Sequence, residues 1–327
     1  MIRRSLPVFV LALLIPLSPG TSLHAQESAA ADLADHPARS PQSLELRSAS
    51  DEDKQKVDQA LPSKAVVEPK SPRRLLVTSL TMRDGKPHPG SNPSAIPVLQ
   101  YALVEMGKKT GAYEAVVNND ILMLRPEKLS EFDGICFANS VGVLFDDEDL
   151  RESLLSYLAD GHGFVGVHDA IATFVQYPKY DQFPAFGEML GGTENGGHPW
   201  NQELMTIKVD DPDSPLTAMF KGGEFQINDQ AFQLQEPSFR DRLHVLTSIN
   251  VEKTPLPRNR RILEVRQDDM DFPVSWIKPY DEGRVFYCGL GHSSHVFQDP
   301  IVLEHLLAGI QYALGDLEAD DSPDQAE

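Results

Sequence analysis

The sequence has few of the residues that several common classes of protein depend on. Two cysteines in 327 residues, with no Cys-x-x-Cys pair, exclude a disulfide-rich scaffold and a compact cysteine metal site. Cys136 and Cys288 both lie in apolar, strand-like runs. Buried free thiols are therefore favoured over a disulfide between them, because free cysteine packs like a small hydrophobic residue.

Basic residues are also scarce. Lysine and arginine number 29 against 49 acidic residues, which gives a formal net charge of −20. A protein this acidic lacks the positive surface that phosphate backbones and anionic lipids attract. We therefore expect neither nucleic acid nor a membrane surface as its partner.

Three short catalytic or cofactor motifs are missing. No Gly-x-Ser-x-Gly occurs, and no His-Glu-x-x-His occurs, which argues against an ordinary esterase and a compact zinc-hydrolase site. No Gly-x-Gly-x-x-Gly stands where the first predicted strand leads into a helix, so dinucleotide binding is unsupported.

The one long apolar run stands at the N-terminus, where Arg3 and Arg4 precede residues 6–17. Leu23-His24-Ala25 then offers a small-residue cleavage site, so we interpret residues 1–25 as a secretory signal peptide. A retained anchor is the alternative, although the run is short for a membrane span. Cleavage would remove two positive charges and change the net charge from −20 to −22. The expected location is periplasmic or secreted, with no membrane attachment after cleavage.

Composition divides the remaining chain into three parts. Residues 26–72 are rich in Ser, Ala, Asp, Lys and Pro and predict a disordered or loosely helical tether. Residues 73–315 have the length of one large domain, and residues 316–327 form an acidic tail expected to be solvated.

Strands and helices alternate in the first half of the predicted domain. The predicted strands are 74–79, 113–117, 134–137, 164–167, 203–209, 243–247, 261–265, 274–277 and 284–289, and the predicted helices are 96–106, 146–158 and 300–314. Short, continuously apolar strands are typical of a parallel sheet covered by helices. The pattern predicts a doubly wound, mostly parallel α/β sheet with a β-rich insertion before the last strand and helix.

Polar side chains follow three of the predicted strands. Asn139 follows one, His168-Asp169 follow the next, and residues 289–295, with His292 and His295, follow a third. Open α/β sheets bind ligands outside the carboxyl ends of their strands, so these groups are expected to meet at one edge. The segments 190–200 and 227–230 are interpreted as polar loops.

The histidines differ in their surroundings. His168, His198 and His292 lie among glycines, which allow the backbone to approach a bound molecule closely, and we interpret them as functional. His88 lies in a proline-rich loop, and a functional and a structural role are equally expected for it. His162, His244 and His305 are interpreted as structural.

Four segments together resemble the trehalose-utilisation (ThuA-like) family over about Arg73 to Leu314. They are, in order, Gly163–His168, Leu190–Gly192 followed by His198-Pro199, Ile227–Phe232, and Gly283–Tyr287 leading to Leu290–His292. The resemblance implies a flavodoxin-like fold of the class I glutamine-amidotransferase type. In amidotransferases a cysteine nucleophile occupies the turn after a central strand, and here that turn carries His168. Glutamine hydrolysis is therefore not expected.

The resemblance also implies a small-molecule carbohydrate as substrate, such as a 3-keto-sugar or 3-keto-glycoside. The family usually has Asp-Glu where this chain has Asp229-Gln230. Acid–base chemistry on such a ketone favours histidine, with Asp169 or Asp229 orienting an imidazole. The predicted catalytic residues are His168, Asp169, His198, Asp229 and His292, and the predicted substrate-binding residues are Asn139, Trp200, His295 and His88.

Two alternatives remain open at this stage. No cofactor is predicted, although His168, His198 and His292, with His295 and Asp229, supply donors that a divalent metal accepts. The second alternative is a non-catalytic carbohydrate- or partner-binding module, which would need no cluster of titrating groups. Whether the chain forms a homo-oligomer is also open.

Overall fold

From residue 74 onward, apolar runs alternate with polar turns, and the computed structural model folds them into a nine-stranded sheet with packed helices. It describes residues 33–90, 92–176, 182–195, 198–235, 239–254 and 270–324. The predicted signal peptide and the predicted strand at 261–265 lie outside these residues. Residues from Pro37 onward form one compact unit.

The elements of this unit follow one another in a mainly alternating order. The strands are β1 (Arg74–Thr78), β2 (Met82–Arg83), β3 (Lys86–Pro87), β4 (Glu114–Val117), β5 (Gly134–Ala138), β6 (Gly163–Val167), β7 (Trp200–Val209), β8 (Phe225–Ala231), β9 (His244–Ile249), β10 (Pro273–Tyr280) and β11 (Gly283–Cys288). The α-helices are α1 (Pro41–Leu44), α2 (Asp51–Ala60), α3 (Ala95–Thr110), α4 (Pro126–Leu129), α5 (Glu148–Ala159), α6 (Pro184–Leu190) and α7 (Pro300–Ala313).

The sheet has the strand order β4-β1-β5-β6-β11-β10-β9-β7-β8. The first five strands in this order are parallel, and the other four continue the same sheet by antiparallel pairing. This arrangement confirms the predicted flavodoxin-like, mostly parallel α/β fold. The inserted β-rich segment joins the main sheet and extends its edge, where the sequence alone suggested a separate lobe.

Both faces of the parallel half are covered, as its apolar strands predict. Cys136 and Val165 belong to a core cluster that includes apolar residues of α3 and α7. On the opposite face, Phe137 and Phe164 pack against Phe186 of α6 with ring centroids 5.7 Å apart in each pair. Strands alternate their side chains between faces, so one short apolar run supplies both layers.

The segment 227–230, predicted to be a polar loop, is part of strand β8. Ile227 and Asp229 are buried while Asn228 is exposed, as in a strand with one buried face, but Gln230 is buried as well. A buried aspartate within a strand looks like a loop residue in the sequence, because strands rarely contain it.

Part of the predicted tether is folded. Helix α2 begins at Ser50, whose hydroxyl accepts a hydrogen bond from the backbone N–H of Asp53 at 3.1 Å. Val57 is fully buried and belongs to the main core cluster. The described part of this segment therefore packs on the domain, which corrects the prediction of a disordered or loose tether for α2.

The acidic tail is also docked along its described length. Asp316 binds Arg73 at 2.8 Å, and Leu317 is buried. Near the end of the described residues, Asp324 binds Arg240 at 2.9 Å. Basic residues distant in sequence hold residues 316–324 on the surface, so the expectation of a freely solvated tail is wrong for them.

Cys136 and Cys288 are both buried free thiols, as predicted. They lie in β5 and β11, which are separated in the sheet by β6. No helix among the described residues is long and apolar enough to cross a membrane.

Candidate functional site

Strands β5, β6 and β11 end side by side. Ala138 pairs with Val167, and Val167 pairs with Cys288, so the residues that follow them meet at one edge. Those residues include Asn139, His168 and the loop from Gly289 to His292. The edge is the one at which doubly wound sheets bind ligands.

His168 stands in a left-handed backbone conformation with φ of 47°. This conformation is unusual for a residue other than glycine, and it marks the sharp turn from β6 into the 3₁₀-helix His168–Ala172. The hydroxyl of Tyr287 donates to the His168 carbonyl at 2.8 Å and helps to hold the turn. The turn at the end of β6 therefore presents an imidazole to the strand-end edge of the sheet.

One hydrogen bond sets the tautomer of His168. Its Nδ1 lies 2.7 Å from the carbonyl oxygen of Gly289. A carbonyl can only accept, so the proton of the neutral ring is on Nδ1 and the lone pair is on Nε2. The imidazole is 0% exposed, and Nε2 makes no well-aligned hydrogen bond with any described residue.

Two histidines from distant parts of the chain meet at this turn, and a third lies nearby. The ring centroids of His168 and His292 are 5.5 Å apart. The ring of Phe232 contacts both His168, at 4.8 Å, and His198, at 5.0 Å. The structure therefore places His168 against His292 and connects His198 to them through Phe232.

Burial lowers the pKa of His168 to about 4, although its hydrogen bond to Gly289 opposes the shift. Burial, together with the neighbouring His168, also lowers the pKa of His292 to about 4. Both rings are therefore neutral near pH 7 and can accept a proton.

Asp169 is buried beside the first imidazole. Its Oδ1 lies 3.4 Å from His168 Nε2, and its Oδ2 has no hydrogen-bond partner among the described residues. Burial raises the pKa of Asp169 to about 7. A carboxyl group of this kind is partly protonated at neutral pH and can donate that proton.

Asp229 was predicted to be catalytic or to orient an imidazole, but its contacts in the structure are with a loop. Its Oδ2 accepts from the backbone N–H of Gly291 at 2.7 Å, and its Oδ1 accepts from that of Ser293 at 3.2 Å. Its carboxylate therefore clamps the loop that carries His292 and does not bond to an imidazole. Burial raises the pKa of Asp229 to about 7, against the opposing effect of these backbone donors.

Asn139 also holds this loop. Its Nδ2 donates to the Gly291 carbonyl at 3.0 Å, and its backbone φ is 58°. The side chain is fully buried, and its Oδ1 is unpartnered among the described residues. Asn139 is placed to position the loop, whereas the sequence suggested direct contact with sugar hydroxyls.

His292 and His295 line a cavity of about 450 Å³ next to the histidine cluster. Asn228 and Ser293 also line it, and His295 Nε2 lies 2.7 Å from the carbonyl oxygen of Asn228. His168 is behind His292 and does not line this cavity. A ligand in the cavity would meet His292 first.

Two predicted substrate-binding residues lie elsewhere. Trp200 is 1% exposed and packs edge-on against Phe272 with ring centroids 4.9 Å apart. It belongs to the hydrophobic core, so its ring has no open face on which a sugar can stack. His88 lines a neighbouring cavity, where its Nδ1 accepts from the N–H of Gly90 at 3.1 Å.

The predicted donor set for a divalent metal is not assembled among the described residues. Among the described residues, no three His, Cys, Asp or Glu side chains are grouped closely enough to hold an ion. The imidazoles of His168 and His292 meet edge-to-face, and Asp229 is occupied by backbone donors. The residues present do not fit a metal centre in this arrangement.

Sequence reasoning missed three supporting groups: Tyr287, the Gly289 carbonyl and Gln230. Gln230 is near enough to His168 to raise its pKa slightly, although no well-aligned hydrogen bond joins it to Nε2. The position of Gln230, one residue after Asp229, was visible in the sequence. In the sequence, Tyr287 looks like one more apolar residue of a buried strand. No sequence signal therefore identifies its hydrogen bond to the His168 carbonyl.

Comparison with known proteins agrees with this architecture. The sequence profile of the ThuA family, described as trehalose utilisation, matches residues 77–313. A solved ThuA-like protein from Bacteroides uniformis is similar in structure, with a TM-score of 0.59, 20% identity, and coverage of 78% of this chain and 97% of that one. A second, from Parabacteroides merdae, has a TM-score of 0.51 and 15% identity, with coverage of 78% and 95%.

Identities this low show a shared fold and carry no information on activity. A search of curated proteins found no match. The profile match extends over most of the described domain and includes every strand end of the site. This chain belongs to the ThuA family.

Proposed function

We propose that this protein is a carbohydrate-processing enzyme that performs acid–base chemistry on an oxidised (3-keto) sugar or glycoside. The observation that carries the proposal is the contact of His168 with His292 at the strand ends, with His198 on the far side of Phe232, beside a buried acid with a raised pKa. Environments that push the pKa values of neighbouring groups in different directions are typical of acid–base sites. The family's description as trehalose utilisation supports a carbohydrate substrate.

The chemistry needs one base and one acid. A hydrogen on the carbon next to a ketone is acidic, because the resulting electron pair moves onto the carbonyl oxygen. A neutral imidazole removes that proton, and an acid protonates the oxygen to give an enol. Reprotonation at the former carbonyl carbon, with loss of the proton from the hydroxyl on the deprotonated carbon, moves the ketone and isomerises the sugar. Cleavage instead re-forms the carbonyl as the enol oxygen loses its proton, while the glycosidic oxygen takes up a proton and leaves the next carbon as an alcohol.

The geometry suggests how these roles divide. His168 has its lone pair on Nε2, so it is suited to the base, and Asp169 retains a proton near neutrality, so it is suited to the acid. His168 is fully buried behind His292 and Phe232. Direct contact with a substrate therefore requires one of those two rings to move.

We further propose a periplasmic or secreted location. The proposal rests on Arg3 and Arg4, the apolar run 6–17 and the cleavage site ending at Ala25. The large negative charge suits a soluble protein whose partner is a small neutral molecule.

A second candidate is a non-catalytic carbohydrate-binding module. The complete burial of His168 favours it, because a base that no substrate reaches would have only a structural role. Removal of the His168 Nε2 atom should have different effects under the two candidates. An enzyme loses turnover and keeps ligand affinity, whereas a module has no turnover to lose.

The test is incubation with a panel of 3-keto-glycosides and their unoxidised parents, with products followed by mass. His168→Asn is the informative variant: the Asn side-chain N–H can replace Nδ1 as donor to Gly289, and Asn tolerates positive φ. We expect turnover to fall by about 10²–10⁴-fold, the usual contribution of general acid–base catalysis.

His305→Asn is the matched control. His305 is likewise buried, with Nδ1 2.8 Å from the Leu216 carbonyl and an unpartnered Nε2, but it lies in α7 away from the site. It should retain full turnover. If no ketone in the panel is converted by the wild-type protein, the binding module is the better description.

Metal dependence has its own test. We expect turnover to persist after exhaustive chelation, because the described residues offer no ligand set. Loss of turnover on chelation, with recovery on adding one divalent ion, would show that a metal takes part.

A further inference from the structure

A second cavity, of about 380 Å³, lies at the carboxyl ends of β1 and β4. Ser79 follows β1 and Asn119 follows β4 after one more residue, so both stand at the strand-end edge of the sheet. Gln100 of α3 closes one side, and Ser43, Glu45 and Arg47 of the N-terminal segment close another. This cavity plays no part in the acid–base site described above.

Three polar side chains in its wall have hydrogen-bonding capacity that the protein does not use. Ser79 is 5% exposed, and its Oγ has no partner among the described residues. Asn119 is 8% exposed, and its Oδ1 accepts from the Ser79 N–H at 2.8 Å. That bond directs the Asn119 Nδ2 donors elsewhere, and they meet no described acceptor.

Gln100 provides the third group. It is 6% exposed, lines the cavity one helical turn from Ile96, and makes no hydrogen bond with a described residue. Burying a polar group without a partner costs about 1–3 kcal/mol. Ser79 Oγ is such a buried atom, whereas the polar end of Gln100 and the amide nitrogen of Asn119 make no hydrogen bond with a described residue in this cavity and are open to a ligand there. One unpartnered buried hydroxyl beside two available amides is a sign of a ligand or ordered water in the cavity.

The remaining wall is mainly apolar. Pro87, Pro89, Pro93 and Ile96 supply most of it, beside Thr81 and His88. The hydroxyl of Thr81 donates to the His88 carbonyl and ties the proline-containing loop to the end of β1. An apolar wall facing neutral donors and acceptors suits a ring whose hydroxyl groups point sideways and whose C–H groups form a face.

This cavity adjoins the one lined by His292. Pro93 lines both, and Asn92 and Ser94 line the second. The two cavities are therefore neighbours, one beside His292 and the other against Gln100, as a ligand of two linked rings requires. A single ring would occupy one of the two cavities.

We infer that the cavity formed by Ser79, Gln100 and Asn119 is a binding subsite for a neutral, polyhydroxylated ring, attached to the ring that reacts beside His292. This inference rests on the proposed function and makes its substrate a two-ring glycoside. It also gives the folded N-terminal segment a role, because Ser43 and Arg47 complete the subsite wall.

The test is calorimetric titration of the full-length protein with trehalose and with glucose, neither of which needs to react. Ser79→Ala and Gln100→Leu remove groups that make no hydrogen bond with the described residues, so both variants should fold normally. Each should weaken trehalose binding by roughly threefold to tenfold, the effect of one lost neutral hydrogen bond. Ser248→Ala is the matched control, because Ser248 is equally buried and its Oγ is also unpartnered.

The outcomes separate this subsite from the proposed chemistry. If trehalose binds the wild-type protein no more tightly than glucose, or if Gln100→Leu and Ser79→Ala bind it as Ser248→Ala does, the groups serve only ordered water and the subsite is wrong. If trehalose binding depends on Gln100 while no 3-keto-glycoside is converted, the subsite stands and the enzymatic proposal fails.

Discussion

At the scale of single residues, function depends on groups whose proton affinities burial has changed. His168 and His292 remain neutral at pH values where a histidine in water begins to take up a proton. Asp169 remains protonated where an aspartate in water is ionised. An imidazole base and a carboxylic acid can therefore coexist 3.4 Å apart near neutral pH.

This account makes a prediction about stability and pH. Burial raises the pKa of Asp169 from 3.8 to about 7, so the folded protein favours the protonated acid. Its stabilising contribution is fully present below about pH 4 and is lost as the pH rises through about 7. Asparagine does not titrate, so the variant Asp169→Asn does not lose this stability as the pH rises. The free energy of unfolding of the variant minus that of the wild type should therefore be about 1–3 kcal/mol larger at pH 8 than at pH 5, so the variant gains stability relative to the wild type as the pH rises.

Urea denaturation at the two pH values measures the effect. A difference between Asp169→Asn and the wild type that is equal at pH 5 and pH 8 would show that Asp169 titrates normally. In that case Asp169 could not be the acid of the proposed chemistry.

At the scale of elements, the loop after β11 is the part that brings the site together. Gly291 has φ of 146°, its N–H donates to Asp229 and its carbonyl accepts from Asn139. A Cβ at this position would lie 2.8 Å from Phe297 Cζ and 3.0 Å from His168 Cβ. The loop therefore has room for glycine alone.

Gly291→Ala should disturb both stability and chemistry. We expect a loss of about 1–3 kcal/mol in the free energy of unfolding from the forced contacts, together with a large loss of turnover, because His292 and His168 move. Gly111→Ala is the control: Gly111 has φ of 69° and no neighbour within 4 Å of a new Cβ. It should lose about 1 kcal/mol from backbone strain and keep its turnover.

The two measurements are urea denaturation and turnover of a converted ketone. Equal losses of turnover in the two glycine variants would mean that the loop tolerates a side chain. The proposed role of Gly291 in positioning the histidines would then be wrong.

The elements also show what could be read from the sequence. Strands β1, β5, β6 and β11 were predicted, because each is a continuous apolar run whose burial on both faces leaves a clear signal. Strand β8 was missed, because the buried Asp229 is satisfied by loop N–H groups more than sixty residues away in the chain. That partner is set by tertiary structure and leaves no local trace.

The same distinction applies to the site. Its histidines were identified because they follow strands whose parallel pairing could be inferred. The burial of Trp200 and the loop-clamping role of Asp229 could not be inferred, since each depends on contacts made by the antiparallel extension of the sheet. Sequence periodicity did not show that this extension continues the main sheet.

At the scale of the whole molecule, the chain on either side of the sheet's first strand and last helix is tied together. Asp316 has a fully buried side chain that binds Arg73 at 2.8 Å and accepts from the Lys70 N–H at 2.9 Å. The segment before β1 and the segment after α7 are therefore joined through one carboxylate. Charges that looked like a solvated tail in the sequence have specific partners in the fold.

Asp316→Ala should be strongly destabilising. The change leaves Arg73 with only its weaker partner Asp133, at 3.2 Å, and leaves the Lys70 N–H without its acceptor. We therefore expect a loss of about 1–3 kcal/mol in the free energy of unfolding. Glu318→Ala is the control, because the Glu318 side chain is 65% exposed where it pairs with Lys70, and exposed pairs contribute at most about 1 kcal/mol. Urea denaturation compares the two variants, and equal values would mean that the tail does not depend on its buried pair.

The central claim is that a buried imidazole at the end of β6 moves a proton on a ketone-bearing sugar. The most direct measurement is magnetic-resonance detection of deuterium uptake from heavy water at the carbon next to the ketone of a 3-keto-glycoside. The account predicts rapid uptake with the wild-type protein and with His305→Asn, and almost none with His168→Asn. Uptake at the wild-type rate with His168→Asn would contradict it.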